Sequence, residues 1–305
     1  MEVKKNSLKA WLLAARPKTL TGAAVPVMIG LALAWIDTRA YDQPGAFSYV
    51  AAVLCLLFAL IMQVDANFIN DFVDYVRGTD DRATRLGPER ACTQGWVDTD
   101  RMKQAIAVTT IVACLVGLPL VVYGGLQMLL VGMICVVFCF LYTTHLSYIG
   151  MGDLLVLLFF GIVPVTVTYY IQLQTVSLEA CLASLACGLV IDTLLLINNF
   201  RDRDTDREAG KQTLVVRIGA KASLTLYLAV GVIACLLGLV FALHGRWLAF
   251  LLPLLYLPFH IVTYLQIRRI DHGRELNQCL GSTSRNIFLY GLLLTAGLLL
   301  QTIVE

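Results

Sequence analysis

Two clusters of acidic and amide side chains could do chemistry in this sequence. The first lies in "NFINDFVDYVRGTDD" at 67–81 and the second in "NNFRDRDTDREAGK" at 198–211. Residues four apart share a face of a helix, and both clusters use this spacing. Carboxylates held this close repel each other unless a cation lies between them, and oxygen ligands suit Mg²⁺. The metal-ligand candidates are Asn67, Asn70, Asp71, Asp74, Asn198, Asp202 and Asp206.

Basic side chains accompany both clusters. Mg²⁺ commonly joins protein carboxylates to phosphate oxygens. Basic side chains beside the acidic clusters therefore indicate a diphosphate held through the metal. The candidates for contacting it are Arg16, Lys18, Arg77, Arg201 and Lys211, with Asp71, Asp74, Asp202 and Asp206 as the catalytic carboxylates. Two other interpretations are solvated ends of cytoplasmic loops and an ion path through Asp65, Asp153 and Asp192.

The elements that position these clusters are membrane helices. Of the 305 residues 58% are hydrophobic and 14% charged, whereas a soluble domain carries about 25% charged residues. A crossing helix needs about 20 mostly apolar residues, and the long apolar runs do not alternate as barrel strands do. We expect nine crossings, at about 20–36, 48–69, 104–123, 126–142, 153–172, 178–200, 222–243, 246–267 and 285–304.

The basic residues indicate the orientation of these helices. With a cytoplasmic amino terminus, all but two of the 23 Lys and Arg fall in or beside cytoplasmic segments, the exceptions being Arg39 and Arg246. This asymmetry predicts an amino terminus inside and a carboxyl terminus outside. Residues 1–19 read as a short interfacial helix leading into the first crossing, and the net charge of +2 suggests no nucleic-acid partner.

The chain reads as one domain, 1–305, with a weak internal echo. The second and sixth crossings run in the same direction and each ends in an acidic cluster. Aligning position 67 with 198 pairs Asn67 with Asn198 and Asp71 with Asp202. A parallel repeat of this kind often places a site at its interface, so we expect the two clusters to face each other across the bundle.

Taken together, these motifs resemble the UbiA superfamily of intramembrane prenyltransferases. "NDFVD" at 70–74 and "DRDTD" at 202–206 carry the likeness, which runs from "ARPKTL" at 15–20 to the last crossing. "NDFVDYVRGTDD", with Gly78 and Asp80, "LGPERACTQGWV", "GDLLVLLFFG" and "NNFRDRDTDREAGKQTLVVRIG" are similar to the 1,4-dihydroxy-2-naphthoate polyprenyltransferases of menaquinone synthesis. The loop "YTTHLSYIGMGD" departs from that group, which often has Gly-Gly-Pro there.

The resemblance implies an enzyme of the inner membrane with its active site facing the cytoplasm. It would transfer a polyprenyl group from an allylic diphosphate to 1,4-dihydroxy-2-naphthoate, giving a demethylmenaquinone with loss of CO₂. Asn70, Asp71 and Asp74 would hold one Mg²⁺, and Asp202 and Asp206 the other. The alternatives are another acceptor, such as 4-hydroxybenzoate, and a non-catalytic isoprenoid-binding or transport protein. A CDP-alcohol phosphotransferase is disfavoured because its Asp-Gly-x-x-Ala-Arg signature is absent.

Overall fold

The computed structural model describes residues 3–40, 47–78 and 85–304. These residues form helices and loops, with fourteen α-helices and no strand in the described ranges. In chain order the helices are α1 (Leu8–Ala15), α2 (Leu20–Ala40), α3 (Tyr49–Val76), α4 (Thr99–Gly117), α5 (Leu120–Gly124), α6 (Gln127–Leu141), α7 (Gly152–Val156), α8 (Val163–Leu173), α9 (Leu178–Glu208), α10 (Leu214–Leu237), α11 (Leu239–Leu243), α12 (Trp247–Leu254), α13 (Tyr256–Ile270) and α14 (Leu276–Val304).

Eight helical segments in the described part of the chain are long and apolar enough to cross a membrane. They are Leu8–Arg39, Tyr49–Val76, Gln127–Leu146, Gly152–Leu173, Leu178–Glu208, Leu214–Leu243, Trp247–Ile270 and Leu276–Gln301. The prediction of an all-helical membrane protein is confirmed, but the predicted count of nine is one too many by this measure.

The difference comes from the third predicted crossing, 104–123. In the structure α4 begins at Thr99, so its first turns carry Asp100, Arg101 and Lys103, and it ends before Pro119. Proline lacks the N–H that a continuing helix needs, which fits the break between α4 and α5. α4 nevertheless packs along α3, where the hydroxyls of two α4 threonines donate to the buried Asp65 carboxylate.

The first of these segments, Leu8–Arg39, contains a separate short helix before α2, as the sequence predicts. The Ser7 hydroxyl caps α1 by accepting from the Ala10 N–H. The helix ends where Arg16 takes a left-handed conformation, φ 50°, and Pro17 then opens a short 3₁₀ turn into α2. Its placement at a membrane surface stays a prediction.

Small residues bring the central helices close together. A π-helical turn at 157–162 leads into α8 and crosses α9 where Gly161 meets Gly188. A Cβ on Gly161 would lie 2.4 Å from the Gly188 Cα, so a larger side chain does not fit this crossing. Close approach of this kind is typical of helix contacts in membranes, where small residues let backbones pack tightly.

Two long helices carry the polar clusters. α3 has 28 residues and α9 has 31, and in both the cluster occupies the last turns, after an apolar stretch. On an ideal helix these lengths correspond to roughly 42 to 47 Å. The carboxyl ends of α3 and α9 therefore bring the two clusters to the same end of the bundle, where Asn70, Asp74 and Asn198 line one cavity.

Candidate active site

Two connected cavities lie between the helices. The larger, about 860 Å³, is mostly apolar and runs between α2, α3, α6, α8 and α9. The smaller, about 150 Å³, is mostly polar. They share the lining residues Arg16, Asn70, Arg90, Tyr142, Leu195 and Asn198. A mostly apolar cavity, called the tunnel below, therefore adjoins a polar cavity, called the chamber.

Half of the first cluster faces this chamber. Asn70 lines both cavities, and its side-chain oxygen accepts from the Thr143 hydroxyl. Asp74 lines the smaller cavity, and its Oδ2 lies 2.8 Å from the Arg90 guanidinium. Asn70 and Asp74 are four residues apart on α3, so they occupy one face, as predicted.

The other half of the cluster is turned away, which corrects the metal-ligand assignments of Asn67 and Asp71 and the catalytic assignment of Asp71. Both carboxylate oxygens of the buried Asp71 accept backbone N–H groups, from Ala91 and Cys92, each at 2.9 Å. The Asn67 amide donates to the Ala15 carbonyl and the Thr19 hydroxyl, both at 2.9 Å. Neither residue lines the described cavities. Asp71 instead fixes the loop at 91–92 to α3, and Asn67 fixes the connection between α1 and α2 to α3.

The second cluster is organised by a buried arginine. Arg201 donates to both carboxylate oxygens of Asp202, at 2.8 and 2.6 Å. It also donates to the side-chain oxygens of Asn198 and Asn277, each at 2.8 Å. With all three guanidinium nitrogens engaged and its side chain 1% exposed, Arg201 positions the cluster. Its predicted role as a direct diphosphate contact is corrected, because its guanidinium nitrogens are already bonded to side chains of the protein.

Asp206 forms the outer part of the second cluster. Its Oδ1 lies 3.4 Å from the Lys211 ammonium, and Lys211 lines the smaller cavity beside the Tyr148 ring. The Oδ2 of Asp206 is buried without a hydrogen-bond partner among the described residues. A buried carboxylate oxygen left in this state is available to a ligand that the chain itself does not supply.

The remaining predicted basic residues fall into two groups. Arg16 lines both cavities, and its Nη2 is buried without a hydrogen-bond partner in the described part of the chain; Lys18 lines the larger cavity. Arg77 lies outside both, donating to the Thr144 carbonyl and covering the Tyr148 ring. Arg16, Lys18 and Lys211 therefore stay candidates for contacting a diphosphate, and the assignment of Arg77 is corrected.

The segment between α3 and α4, which was not among the predicted site residues, supplies further cations. Arg85 and Arg90, in the segment between α3 and α4, line the larger cavity, and Asn277 of α14 joins them. Asn277 donates to the Leu86 carbonyl, which holds this segment over the chamber. "LGPER", which contains Arg90, was the available signal, but it entered only through the family resemblance. Asp80, from the variant "GTDD", lies outside the described residues.

The internal echo has a different register from the one predicted. Asn70 and Asn198 both line both cavities, so Asn70 corresponds to Asn198 and Asp74 to Asp202, a shift of three residues. The third position of the first cluster is then Gly78, at φ 68°, where the second cluster has Asp206. The two clusters are matched in their first two positions and differ in the third.

The donor chemistry of the chamber fits a divalent cation bound together with phosphate. The side chains in question offer amide and carboxylate oxygens, the ligands that Mg²⁺ prefers. No group of three or more His, Cys, Asp or Glu side chains in the described ranges could hold a metal alone. Mg²⁺ commonly uses one or two carboxylates and takes its other ligands from water and substrate phosphate, so this sparse set suits it.

The chain is similar to known proteins over most of its length. Residues 23–299 match the model of the UbiA prenyltransferase family. The chain belongs to the UbiA prenyltransferase family. Within it, the chain is 37% identical over 251 residues to a 1,4-dihydroxy-2-naphthoate octaprenyltransferase of Escherichia coli, covering 78% of this chain and 79% of that protein. It is 32% identical to one of Haemophilus influenzae, covering 97% of each.

Solved structures of UbiA homologues share the fold. A homologue from Aeropyrum pernix matches with a TM-score of 0.66 at 18% identity, covering 92% of this chain and 98% of that one. One from Archaeoglobus fulgidus, bound to DMAPP and Mg²⁺, matches with a TM-score of 0.61 at 16% identity, covering 94% and 99%. The likeness extends over nearly the whole bundle, so this chain has the UbiA fold.

Proposed function

We propose that this chain transfers a polyprenyl group from an allylic diphosphate to 1,4-dihydroxy-2-naphthoate in the presence of Mg²⁺, giving a demethylmenaquinone with loss of CO₂. The observation that carries the proposal is the junction of an apolar tunnel of about 860 Å³ with a chamber lined by Asn70, Asp74 and Asn198. An allylic polyprenyl diphosphate has the same division into hydrocarbon and charge. Relatives named as naphthoate octaprenyltransferases support this choice of acceptor.

Two kinds of side chain would bind the diphosphate: oxygen ligands through Mg²⁺, and basic groups directly. Asn70 and Asp74 would hold one Mg²⁺. Asn198 would hold the other together with Asp202 and Asp206, which follow it on the same face of α9. The bound metal supplies Lewis-acid stabilisation of the departing diphosphate. Arg16, Lys18, Arg85, Arg90 and Lys211 line the two cavities and offer donors to the phosphate oxygens.

The apolar tunnel holds the prenyl chain and excludes water from the reacting carbon. Its wall is formed by aliphatic, aromatic and sulfur side chains of α3, α6 and α8. In a water-poor site, fixed donors stabilise the developing charge of the diphosphate more strongly than they would in water. The allylic carbon then alkylates the electron-rich aromatic ring, and no protein nucleophile takes part.

We further propose that the site faces the cytoplasm from the inner membrane, with the amino terminus inside and the carboxyl terminus outside. The support is the distribution of the basic residues, of which only Arg39 and Arg246 lie away from the ends that carry the clusters. This orientation takes α4 and α5 together as one crossing. Membrane lipid is then a partner along the exposed apolar faces. Labelling single cysteines near Arg207 and at the carboxyl terminus tests it, and reaction of both from the same side contradicts it.

An acceptor assay tests the function. Purified protein receives Mg²⁺, a long-chain prenyl diphosphate, and either 1,4-dihydroxy-2-naphthoate or 4-hydroxybenzoate. We expect the naphthoate to be prenylated with release of CO₂, and chelation to stop the reaction until Mg²⁺ is restored. Prenylation of 4-hydroxybenzoate alone would replace the acceptor, and tight binding of the diphosphate without turnover on any acceptor would make the chain an isoprenoid-binding protein.

A further inference from the structure

Two carboxylates on the packed helices α7 and α9 are not among the proposed metal ligands. Asp153 lies at the start of α7 and lines the smaller cavity. Asp192 lies on α9 and is 7% exposed. The two carboxylates are close enough to interact electrostatically, and Oδ1 of each is buried without a hydrogen-bond partner among the described residues.

Tyr142 places this pair next to the reacting groups. Its ring lines both cavities, and it lies close enough to Asp153 and Asp192 to feel their charges. Its hydroxyl is 3.9 Å from the position that a Cβ on Gly152 would take, at the amino end of α7. Asp153 and Tyr142 therefore face the chamber, whereas Asp192 lines neither cavity.

The surroundings of the pair differ from those of the structural carboxylates in this protein. Asp65 is buried with its oxygens hydrogen-bonded to two threonine hydroxyls, and Asp37 is buried against Arg246 and Tyr169. Among the described residues, by contrast, Oδ1 of Asp153 and Oδ1 of Asp192 have no hydrogen-bond partner. The free Oδ1 of Asp153, which lines the chamber, is therefore available to a proton of a bound ligand.

We propose that the Asp153–Asp192 pair accepts a proton from the hydroxyl of the aromatic acceptor while the prenyl group is transferred; this rests on the function proposed above. Asp153, which lines the chamber, is the catalytic residue that meets the hydroxyl. Asp192 is a positioning residue that acts through Asp153. A carboxylate at the wall of the chamber with an oxygen free of hydrogen bonds is suited to take up a proton from the acceptor and return it.

The step balances without an oxidant or reductant. The bond between the allylic carbon and the diphosphate oxygen breaks, and its electron pair leaves with the diphosphate. The ring carbon that bears the carboxylate forms the new bond to the allylic carbon, while the adjacent hydroxyl gives its proton to Asp153 and becomes a ketone. Loss of CO₂ returns an electron pair to the ring, and the ketone oxygen takes the proton back. The prenylated ring is left as a hydroquinone.

Asparagine variants separate this role from a structural one. Asp153→Asn and Asp192→Asn keep the shape of each side chain and can hydrogen-bond to the neighbouring carboxyl. We expect each to lower the rate of transfer to the naphthoate by roughly 100-fold, within the usual range for a general base. The Michaelis constant for the prenyl diphosphate should stay unchanged. Asp65→Asn, a buried carboxylate of another helix, is the matched control and should transfer at near the wild-type rate.

Two readouts decide the result. The first is exchange of the bridging oxygen of labelled prenyl diphosphate without acceptor, which reports ionisation alone and should persist in both variants. The second is the rate with ring-substituted acceptors, for which the loss should shrink as the hydroxyl becomes more acidic. Near-normal transfer in both variants, or an equal loss for every acceptor, overturns the proton role alone. Absence of exchange and transfer in the wild-type protein overturns the proposed function, and this inference with it.

Discussion

Arg90 Nη1 lies 2.8 Å from Oδ2 of Asp74 and 2.6 Å from the backbone carbonyl oxygen of Asn70. The Arg90 side chain therefore ties the segment between α3 and α4 to the end of α3 at the chamber. It is 12% exposed and lines both cavities. A cation in this position neutralises the carboxylate cluster and is also available to a phosphate.

Replacing Arg90 should weaken binding of the prenyl diphosphate. A hydrogen bond to a charged group contributes about 1.5–3 kcal/mol, so we expect Arg90→Ala to raise the Michaelis constant for the diphosphate by roughly 10- to 100-fold. Arg90→Lys keeps the charge but loses the planar guanidinium, so its Michaelis constant should lie between those of the wild type and Arg90→Ala. Arg77→Ala, at a cation outside the cavities, is the control for overall charge. Steady-state kinetics with varied diphosphate measures the effect, and an unchanged constant in Arg90→Ala would contradict it.

Asp71 and Asp74 should behave differently although they are three residues apart. Asp74→Ala removes a chamber carboxylate, so we expect activity to fall by roughly 100-fold or more with the fold retained. Asp71→Ala leaves the buried N–H groups of Ala91 and Cys92 without acceptors, which costs about 2–5 kcal/mol of stability. Thermal unfolding in detergent, beside turnover with saturating Mg²⁺, separates the two effects. Equal stability of the two variants would show that the Asp71 contacts are dispensable.

The helix-end location of the clusters could be predicted from the sequence, but the face that meets the chamber could not. Asn67 with Asp71 and Asn70 with Asp74 have the same residue types and the same spacing, so helical periodicity does not distinguish them. The choice depends on what packs against α3 from elsewhere in the chain, including the carbonyl of Ala15 and the N–H groups at 91–92. Long-range contacts of this kind leave no local pattern.

The role of Arg201 could not be predicted from the sequence either. A cation beside Asp202 and Asn198 suggests a ligand for phosphate. Asn277 lies far along the chain, so nothing in the sequence indicates that Arg201 donates to it. In the structure all three guanidinium nitrogens of Arg201 donate hydrogen bonds to other side chains of the protein. The membrane class and the position of both clusters at the ends of α3 and α9 depend instead on composition and local periodicity, so they could be predicted.

The crossing of Gly161 and Gly188 should be sensitive to one methyl group. In Gly161→Ala the new carbon would lie 2.4 Å from the Gly188 Cα and 2.7 Å from the Ser184 carbonyl oxygen, and both neighbours are backbone. We expect a loss of about 1–3 kcal/mol in stability, since the helices must separate. Gly132→Ala is the control, because nothing lies within 4 Å of its added carbon. An unfolding temperature for Gly161→Ala equal to that of the control would contradict tight packing here.

Gly132 also offers a test of where the prenyl chain lies. It lines the larger cavity, and an added side chain meets open space there. Gly132 is ten residues before Tyr142 of the polar end, which corresponds to roughly 15 Å along a helix. A ring in Gly132→Phe should therefore obstruct the tunnel beyond the first isoprene units while leaving the chamber intact.

The expected result for Gly132→Phe is a change in chain-length preference. We expect kcat/KM for a long prenyl diphosphate to fall by about tenfold or more, equivalent to at least ~1.4 kcal/mol, while a ten-carbon diphosphate reacts as in the wild type. Gly132→Ala, which adds only a methyl group, should keep the wild-type preference. Kinetics with a series of diphosphates of increasing length measures the shift. Unchanged use of the long substrate would place its chain outside this tunnel, and an equal loss at every length would mean that the substitution disturbs the chamber itself.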